Sequence, residues 1–513
     1  MITVSIHSVA CFWRRYPALL YAINCLLGIA FALNYSYALF VPLLLFSFPL
    51  LFFSQDRIRL LLALGVLLGA YLSTAAVYTF PHLPDEGEEG TALIEITSLS
   101  QATHFGKRWV YKGNILSFVN AANQEIARNI PFTFSMPVKD SVKHPPANSA
   151  YQVFGKLKEK NNHKYTLSVK QEAPWYPVSG SWSLAEQRFH AKQYVSQYIL
   201  SHIQGSQPAT FLAGIATGDF DDRLMAFEFS RFGLQHIMAI SGFHFAIIAG
   251  ILSVILRCVI GQRIATVLLI FLLSSYFVFL GCGPSIMRAW ITITIALCGL
   301  LLEKRGSGLN SLGVAMLLIL MINPLQCWNI GFQFSFLATA AILLLFPSCD
   351  ILLQQLFEKR PLSQMVKMNV WNQHAYCVLV FFRQGLALTL AVNLLTMPLM
   401  FFYFQKFPVM SLLYNLFFPF LVSIAMLLLI LGLLGGLFLS VVGDFFHAIN
   451  SVYTQWVLNF TYYAPASLDF VWRYAGFSHE FLVVYLTLVV LLGIWVKQRL
   501  EQEQDVFQDY AFI

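Results

Sequence analysis

The sequence predicts a polytopic α-helical membrane protein with one small β-rich domain, a barrel or a sandwich, inserted after the third membrane segment. Of the 513 residues, 58% are hydrophobic and 11% are charged, whereas soluble domains are nearer to about 25% charged. Apolar stretches of about 20 residues, long enough to cross the hydrocarbon core of a bilayer, recur along the chain. Residues 85–178 lack such stretches and carry charged residues and alternating patterns instead.

About twelve segments, give or take two, are predicted to span the membrane. The run at 309–322 is short and fits a half-helix or a re-entrant segment. No small-residue cleavage site follows the first segment, so we expect an uncleaved anchor. The segments lie at roughly 17–34, 37–53, 60–80, 234–256, 264–281, 285–302, 309–322, 330–347, 378–403, 411–438, 442–463 and 480–496.

The distribution of Lys and Arg predicts which side of the membrane each loop occupies. With the N-terminus in the cytoplasm and the β-rich region left aside, thirteen cations fall in inside loops and two in outside loops. Both termini are then cytoplasmic, and the β-rich region lies on the outer face. The inside cations are Arg14, Arg15, Arg57, Arg59, Arg257, Arg263, Lys304, Arg305, Lys359, Arg360, Lys367, Lys497 and Arg499, and the outside ones are Lys406 and Arg473.

Five regions follow from these patterns. Residues 1–84 hold three N-terminal transmembrane helices, 85–178 the outer β domain, and 179–232 two amphipathic stretches. Residues 233–497 form the main polytopic domain, and 498–513 a cytoplasmic tail. The stretches at 181–203 and 209–233 carry apolar residues at helical spacing beside polar ones, which fits helices lying on the membrane surface.

The β domain is expected to contain five or six strands and to be basic. ALIEIT, RWVYKGNILSFV, PFTFSM, YQVFGKLKEK and KYTLSV each have a strand pattern. Between His104 and Lys170 there are eleven Lys and Arg residues against three Asp and Glu residues. Two interpretations stay open. The aromatics could stack bases while cations such as Lys107, Arg108, Lys112, Lys156, Lys158 and Lys160 follow a phosphate backbone, or the aromatics are core and the lysines a solvated surface.

Polar residues interrupt the apolar stretch GLQHIMAISGFHFAIIAGI at 233–251, which carries His236, Ser241, Gly242 and His244. Polar groups at membrane depth are costly unless they face protein or water. The Ser-Gly step lets a neighbouring helix or a substrate come close. The histidines could pack helices together, line a polar path, or serve Ser241 as a nucleophile. Eight residues apart on one helix, they would not form a tight metal pair.

Further polar and helix-breaking residues occur in or beside the later segments. Arg288 lies one turn inside its segment, where it could snorkel to the surface or attract an anion at a pore mouth. Such sites, spread over five segments, favour a water-accessible interior, as in channels and transporters. The other sites are Gln333, Ser335, Asn393, Thr396, Pro398, Asn415 and Pro419.

No cofactor or metal site is expected. The eight Cys residues lie in or beside apolar segments without a CxxC pair, so we interpret them as packing residues. No GxxxxGK[ST] nucleotide-binding motif occurs.

Four ordered motif blocks over roughly 210–440 resemble ComEC-type competence proteins, a family of inner-membrane DNA-uptake channels. The blocks are LAGIATGDFDDRLMAFEFSRFGLQHIMAISGFHFAIIAGIL, GCGPSIMRAWI, NPLQCWNIGFQFSFLAT and AVNLLTMPLMFFYFQKFPVMSLLYNLFF. The matching residues are Gly218, Asp219, Gly233, Leu234, His236, Ala239, Ser241, Gly242 and His244; then Pro284, Ser285, Arg288 and Ala289; then Pro324, Gly331, Phe332, Gln333, Ser335 and Phe336; then Asn393, Pro398, Phe407 and Asn415. The position of the β domain also matches the OB-like domain of that family.

The resemblance implies that single-stranded DNA crosses the cytoplasmic membrane between the spans. It also implies separate partners: an outer DNA receptor, and a cytoplasmic motor or a protein that captures the emerging strand. Many family members carry a zinc domain with a His-x-His-x-Asp-His motif, which does not occur here. We therefore expect no nuclease or other enzyme activity, and membrane lipid as the surroundings. The sequence leaves the oligomeric state open, a homo-oligomer included.

Two other functions remain open at this stage. The chain could transport another solute, with the outer domain as a scaffold, or it could be an intramembrane serine hydrolase using Ser241. Loss of DNA uptake on deletion of the gene would separate the channel from the transporter. Reaction with serine-directed probes would identify the hydrolase.

Overall fold

A computed structural model describes the chain except for Met1 and residues 34–35, 82, 103–106, 139–143, 162–163, 170–173, 221, 239–241, 305 and 511–513. Side chains are also left undescribed at 2–7, 161, 164, 362, 466 and 503–510. The described chain is mostly helical, with a sheet domain near its N-terminus.

Nineteen α-helices and eight strands are numbered here in chain order. The helices are α1 Ile2–Arg15, α2 Pro17–Leu33, α3 Phe40–Ser47, α4 Arg57–Val77, α5 Ala185–His202, α6 Ser206–Thr217, α7 Arg223–Arg231, α8 Gln235–Met238, α9 Gly242–Ile260, α10 Gln262–Leu280, α11 Pro284–Leu301, α12 Gly308–Ile322, α13 Ile330–Leu344, α14 Phe346–Gln354, α15 Leu362–Met365, α16 Val370–Phe404, α17 Ser411–Phe438, α18 Ser440–Tyr462 and α19 His479–Tyr510. The strands are β1 Glu88–Ala102, β2 Arg108–Asn120, β3 Glu125–Pro137, β4 Ala150–Asn161, β5 Lys164–Val169, β6 Tyr176–Pro177, β7 Lys406–Pro408 and β8 Val471–Arg473.

The β domain is one six-stranded sheet in the order β1-β2-β3-β5-β4-β6, in which β1 also pairs with β4. The β3–β5 pair is parallel, and the other pairs are antiparallel. Irregularities between Leu93 and Ile94 and between Ile96 and Ser98 interrupt the register of β1 with β2. Such irregularities bend a strand and increase its twist, which suits a strand that pairs along both edges.

The five predicted strands are present, and their apolar faces form one core. Alternate residues of β1 to β5 are buried, as a sheet with one wet face requires. The idea that the aromatics are free to stack bases is wrong for Tyr111, Phe118, Tyr151 and Tyr165, because each is at most 4% exposed within this core. Phe154, in contrast, is 51% exposed on the outer face of β4.

Seven helices in the described chain are long and apolar enough to cross a membrane: α4, α9, α10, α11, α16, α17 and α19. Two bent pairs, α1 with α2 and α13 with α14, raise the number to as many as nine. Shorter apolar helices occur at Tyr37–Phe52 and at α12. The predicted count of twelve is not confirmed and stays a prediction.

Two predicted segments are not each covered by one of these seven helices. The segment predicted at 234–256 contains α8, which is described to Met238, and α9, which is described from Gly242; the three residues between them lie outside the described part of the chain. The segment predicted at 442–463 corresponds to α18, which is not among the seven helices above. The reason is polarity, since α18 carries Asp444, His447 and Asn450.

The β domain is fixed to one end of the helix bundle, called here the β-domain end. Arg188 of α5 donates hydrogen bonds to the carbonyl oxygens of Thr97 in β1, at 3.1 Å, and of Val278 in α10, at 2.9 Å. The Phe80 and Trp328 rings lie 5.4 Å apart, and Asn129 donates to the Val77 carbonyl at 3.1 Å. These contacts join the sheet to the ends of α4 and α10.

Candidate functional site

The resembling blocks meet at the β-domain end of the bundle. Because α10 ends there, α11 also begins there, and its second turn contacts the first residue of α9. The hydroxyl of Ser285 donates to the carbonyl of Gly331 at 3.4 Å, which brings the starts of α11 and α13 together. A Cβ built on Gly233 would lie 2.7 Å from Ser411, so the start of α17 joins them. Three pairs of residues that are far apart in the sequence thus lie close together at one end of the molecule.

Arg288 lies at the centre of this convergence. Its Nε donates a hydrogen bond to the Ser335 hydroxyl of α13 at 2.8 Å. A Cβ added to Gly242 would lie 2.4 Å from Arg288 Nη2, so a larger residue there would require the guanidinium to move. The side chain is directed into the bundle and not along its surface, which removes the snorkelling interpretation.

The charge of Arg288 is not matched by an ion pair within the described part of the chain. Three other cations that are at least partly buried do have a carboxylate partner: Arg14 binds Asp56, Arg383 binds Asp350, and Lys192 binds Asp219. A half-buried cation without a carboxylate raises the local positive potential and attracts anions. The arrangement can therefore stabilise a passing negative charge near Gly242 and Ser335.

Gln333 joins α13 to α16 at the same end. Its amide nitrogen donates to the Cys327 carbonyl at 2.8 Å, and its amide oxygen accepts from the Tyr403 hydroxyl at 2.8 Å. Asn329 caps α13 by accepting from the Gly331 N–H at 2.9 Å. Sequence reasoning missed Tyr403, because nothing distinguishes it from the other tyrosines before the long-range contact is known.

The two histidines have different surroundings. His236 of α8 is exposed, and its Nδ1 lies 3.1 Å from the Gly233 carbonyl oxygen. His244, in the first turn of α9, is 1% exposed. His236 thus belongs to α8 and His244 to α9. Ser241 and Ala239 lie outside the described residues, so the proposed nucleophile is not placed.

Several of the predicted site residues have local structural roles. Gly218 ends α6 with φ +79°, and Asp219 binds Lys192 of α5 at 3.3 Å. Pro284 begins α11. Asn393 donates to the Thr389 carbonyl within α16, at 2.8 Å, and the buried Pro398 follows in the same helix. The amide oxygen of Asn415 is buried and lacks a hydrogen-bond partner among the described residues.

The β domain presents a basic row across its outer face. Register places Lys112 of β2 opposite Thr133 of β3, Thr133 opposite Thr166 of β5, and Thr166 opposite Lys158 of β4. Three strand spacings separate the lysines, or roughly 14 Å. This basic row, Lys112-Thr133-Thr166-Lys158, offers two charges and two hydroxyls to an anionic chain.

The other predicted DNA-binding residues extend the row on both sides. Lys156 and the exposed Lys160 share the outer face of β4 with Lys158 and Phe154. Arg108 and Lys107 are exposed at the start of β2. Glu89 lies opposite Lys156 and reduces the charge at that edge. In the described chain, no three His, Cys, Asp or Glu side chains meet as metal ligands would.

The fold and the site define a class of protein: a bundle of apolar helices, several able to cross a membrane, with polar residues converging below a basic sheet domain. The chain belongs to the Competence protein family, because the model of that family matches residues 222–500. It is a ComEC-type competence protein, as the resembling blocks predict. The apolar helices and this family together indicate a membrane protein.

ComE operon protein 3 of Bacillus subtilis (strain 168) is one relative. The two are 27% identical over 182 residues, which cover 35% of this chain and 22% of the relative. The matched part is thus less than a quarter of the length of that protein. No solved structure matches the chain.

Proposed function

We propose that this protein forms a channel that takes up single-stranded DNA across the cytoplasmic membrane during competence. Family membership supports a role in competence and DNA uptake. The geometry supports the path: polar residues from separate motif blocks meet where the sheet domain joins the bundle. A strand held on the sheet would have this convergence as its nearest route between the helices.

Arg288 is the observation that carries this proposal. The guanidinium is half-buried between α9, α11 and α13 and has no described carboxylate partner. Burying a charge is costly unless something compensates it. A phosphodiester passing Gly242 would supply the missing negative charge, and its hydrogen bonds with a guanidinium are strong and directional.

In this proposal the β domain is an OB-like barrel that collects the strand. Its pairings run in a ring, from β1 through β2, β3, β5 and β4 back to β1, which supports a closed sheet. Barrels of this kind bind single strands through cationic grooves and exposed aromatics. The basic row and the exposed Phe154 supply both features.

The proposed sidedness places the β domain outside and both termini in the cytoplasm. Contacts between distant loops support it, because they join loops predicted on the same side. Arg15 binds Glu501 at 3.1 Å, and Arg263 binds Glu303 at 3.1 Å, both among inside loops. Lys406 pairs in register with Arg473 across β7 and β8, which are both outside.

Other proteins would complete the uptake machinery in this proposal. An outer receptor would deliver the DNA, and a cytoplasmic motor or a strand-capturing protein would pull it inward. The chain itself would act as a passive channel and not as an enzyme. Any degradation of the second strand would then be the work of a separate nuclease.

The test is uptake of labelled DNA into cells that lack the gene and carry a complementing copy. We expect the wild type and Arg263→Ala to restore uptake, because Arg263 is exposed at the opposite end of the bundle. Arg288→Ala should not restore it at equal protein levels. Unchanged uptake after deletion would remove DNA as the cargo, and full activity of Arg288→Ala would remove the proposed path.

A further inference from the structure

Helices α5 and α6 form an antiparallel hairpin that starts at the β-domain end. Near its open side, Arg188 contacts α10 and β1, and Lys192 binds Asp219 just after α6. Gly205, with φ +86°, makes the turn at the closed side. The buried residues Ile199, Ala209 and Leu212 pack the hairpin against Ala425 and Leu429 of α17.

The C-terminal half of α5 and the closed side of the hairpin contact α17 and α18. The backbone N–H of Gln204 donates to the Ser451 hydroxyl of α18 at 2.9 Å. The hydroxyl of Tyr198 lies 3.2 Å from a Cβ built on Gly436, two residues before α17 ends. From Arg188 to His202 the helix rises about 21 Å, against about 30 Å for the hydrocarbon core. A helix lying flat on the membrane does not make these contacts.

One face of α5 is nevertheless exposed and largely polar. Spacing of three or four residues places Gln187, His190, Ala191, Tyr194, Gln197 and Ser201 along it, and these six residues are called here the α5 stripe. Leu200, 49% exposed, is the one large aliphatic residue on the same face. Exposed faces of the neighbouring helices differ in character. They carry Ile264 and Phe271 on α10, 66% exposed each, and Val452 on α18, 74% exposed.

Lipid and water select different side chains for exposed positions. A polar group that faces hydrocarbon loses its hydrogen bonds to water without replacement, which is costly. The apolar faces of α10 and α18 suit lipid, whereas the α5 stripe does not. We infer that α5 and α6 are a re-entrant hairpin and that the α5 stripe lines a water-filled path within the bundle.

The α5 stripe also fits the cargo, a step that rests on the proposed function. Tyr194 is 74% exposed and offers its ring to an unstacked base. Gln187 and Gln197 offer amide donors and acceptors to phosphates or base edges. The stripe carries no Lys or Arg, so it would guide a strand without holding it firmly. The ligand class is single-stranded nucleic acid.

The position of the hairpin is tested by cross-linking in membranes without DNA. Every variant has the exposed cysteines Cys258, Cys282 and Cys377 replaced by Ser. The pair Tyr198→Cys with Gly436→Cys should be joined by a short bifunctional thiol reagent. Tyr194→Cys with Gly436→Cys is the control, because Tyr194 lies on the exposed face one turn away. Absence of the first cross-link overturns the hairpin.

Water access is tested by labelling with a charged maleimide in the same background. Gln197→Cys should react on the order of ten times faster than Val452→Cys, because the reagent attacks the hydrated thiolate. Val452 is the matched control, because it is exposed on α18 and follows Ser451, which accepts a hydrogen bond from Gln204 of the hairpin. Equal, slow rates would place the α5 stripe in lipid and overturn the path. Disulfide-linked dimers at Gln197→Cys would assign the stripe to a second copy and also overturn it.

The cargo is tested by repeating the labelling of Gln197→Cys with and without a single-stranded oligonucleotide. We expect the labelling rate to fall when the oligonucleotide is present. If labelling and cross-linking occur as expected but DNA gives no protection, the nucleic-acid lining is wrong and the water-lined hairpin stands. Failure of the hairpin itself leaves the Arg288 uptake test unaffected, so the two proposals can fail separately.

Discussion

At the residue scale, the site depends on close packing between a glycine and an arginine. Sequence reasoning selected Gly242, Arg288 and Ser335 separately, as a breaker, a buried charge and a polar residue in apolar segments. It did not connect them, because Ser335 lies 47 residues after Arg288. Local patterns carry no information about such contacts, which follow from how α11 and α13 pack.

Gly242→Ala is expected to displace the Arg288 guanidinium and reduce DNA uptake by about tenfold, which corresponds to about 1.4 kcal/mol of barrier. The added Cβ would lie 2.4 Å from Nη2, closer than atoms can pack. The measurement is uptake of labelled DNA at matched protein levels.

Gly250→Ala is the control on the same helix, since nothing lies within 4 Å of a Cβ there. It should keep wild-type uptake. Equal uptake by both variants would mean that the position of Arg288 does not matter for transport.

At the element scale, the amphipathic periodicity of 181–203 correctly predicted the helix α5. It could not predict whether that helix lies on the membrane surface or extends into the bundle. A polar stripe looks the same in sequence whether it faces bulk water or an internal path.

The α17–α18 pair is expected to lose stability when Gly432 becomes Ala. The new Cβ would lie 2.5 Å from the buried His447 ring, and overpacking of this kind costs about 1–3 kcal/mol. Thermal unfolding in detergent should show a lower midpoint than for the wild type.

Gly69→Ala on α4 is the matched control, because a Cβ there meets open space. Alanine is also the better helix former by about 1 kcal/mol. The unfolding midpoint should therefore stay equal or rise. A Gly432→Ala variant as stable as Gly69→Ala would contradict the close packing.

The outer face of the sheet gives a second prediction at this scale. Replacing Lys112 and Lys158 by Gln should weaken binding of a single-stranded oligonucleotide to the full protein. The slope of log affinity against log salt should fall by about 1.4, since each phosphate contact on a single strand contributes about 0.7.

Lys304→Gln with Lys367→Gln removes the same charge from exposed loops predicted on the other side. This control should leave the salt slope unchanged. An equal effect of both pairs would show that net charge, and not the basic row, governs binding.

At the scale of the whole molecule, sequence patterns predicted a sheet domain inserted between an N-terminal group of helices and a larger helical region, and they predicted the five main strands. They did not predict the order of the sheet, because the parallel β3–β5 pair and the β1–β4 pair depend on long-range pairing. Lys and Arg counts predicted sidedness, and the loop contacts agree with one another. The number of membrane crossings in the described chain depends on whether each bent pair of helices and each short apolar helix counts as one span.

An epitope tag in the β2–β3 turn, at 121–124, should be reached by antibody in spheroplasts with an intact membrane. A tag at the C-terminus should be reached only after the membrane is permeabilised. The turn is exposed, so the tag should not disturb the core. The reverse pattern would invert the proposed orientation.

The junction made by Arg188 has a consequence for affinity. Because this side chain holds β1 and α10 together, the sheet domain stays at a fixed distance from the convergence around Arg288. A strand captured on the basic row would then meet the second site as an intramolecular event, with an effective concentration on the order of millimolar. Two individually weak sites, each loose enough to release a moving strand, can therefore retain it together. Loosening the junction should lower uptake at limiting DNA and leave saturated uptake nearly unchanged.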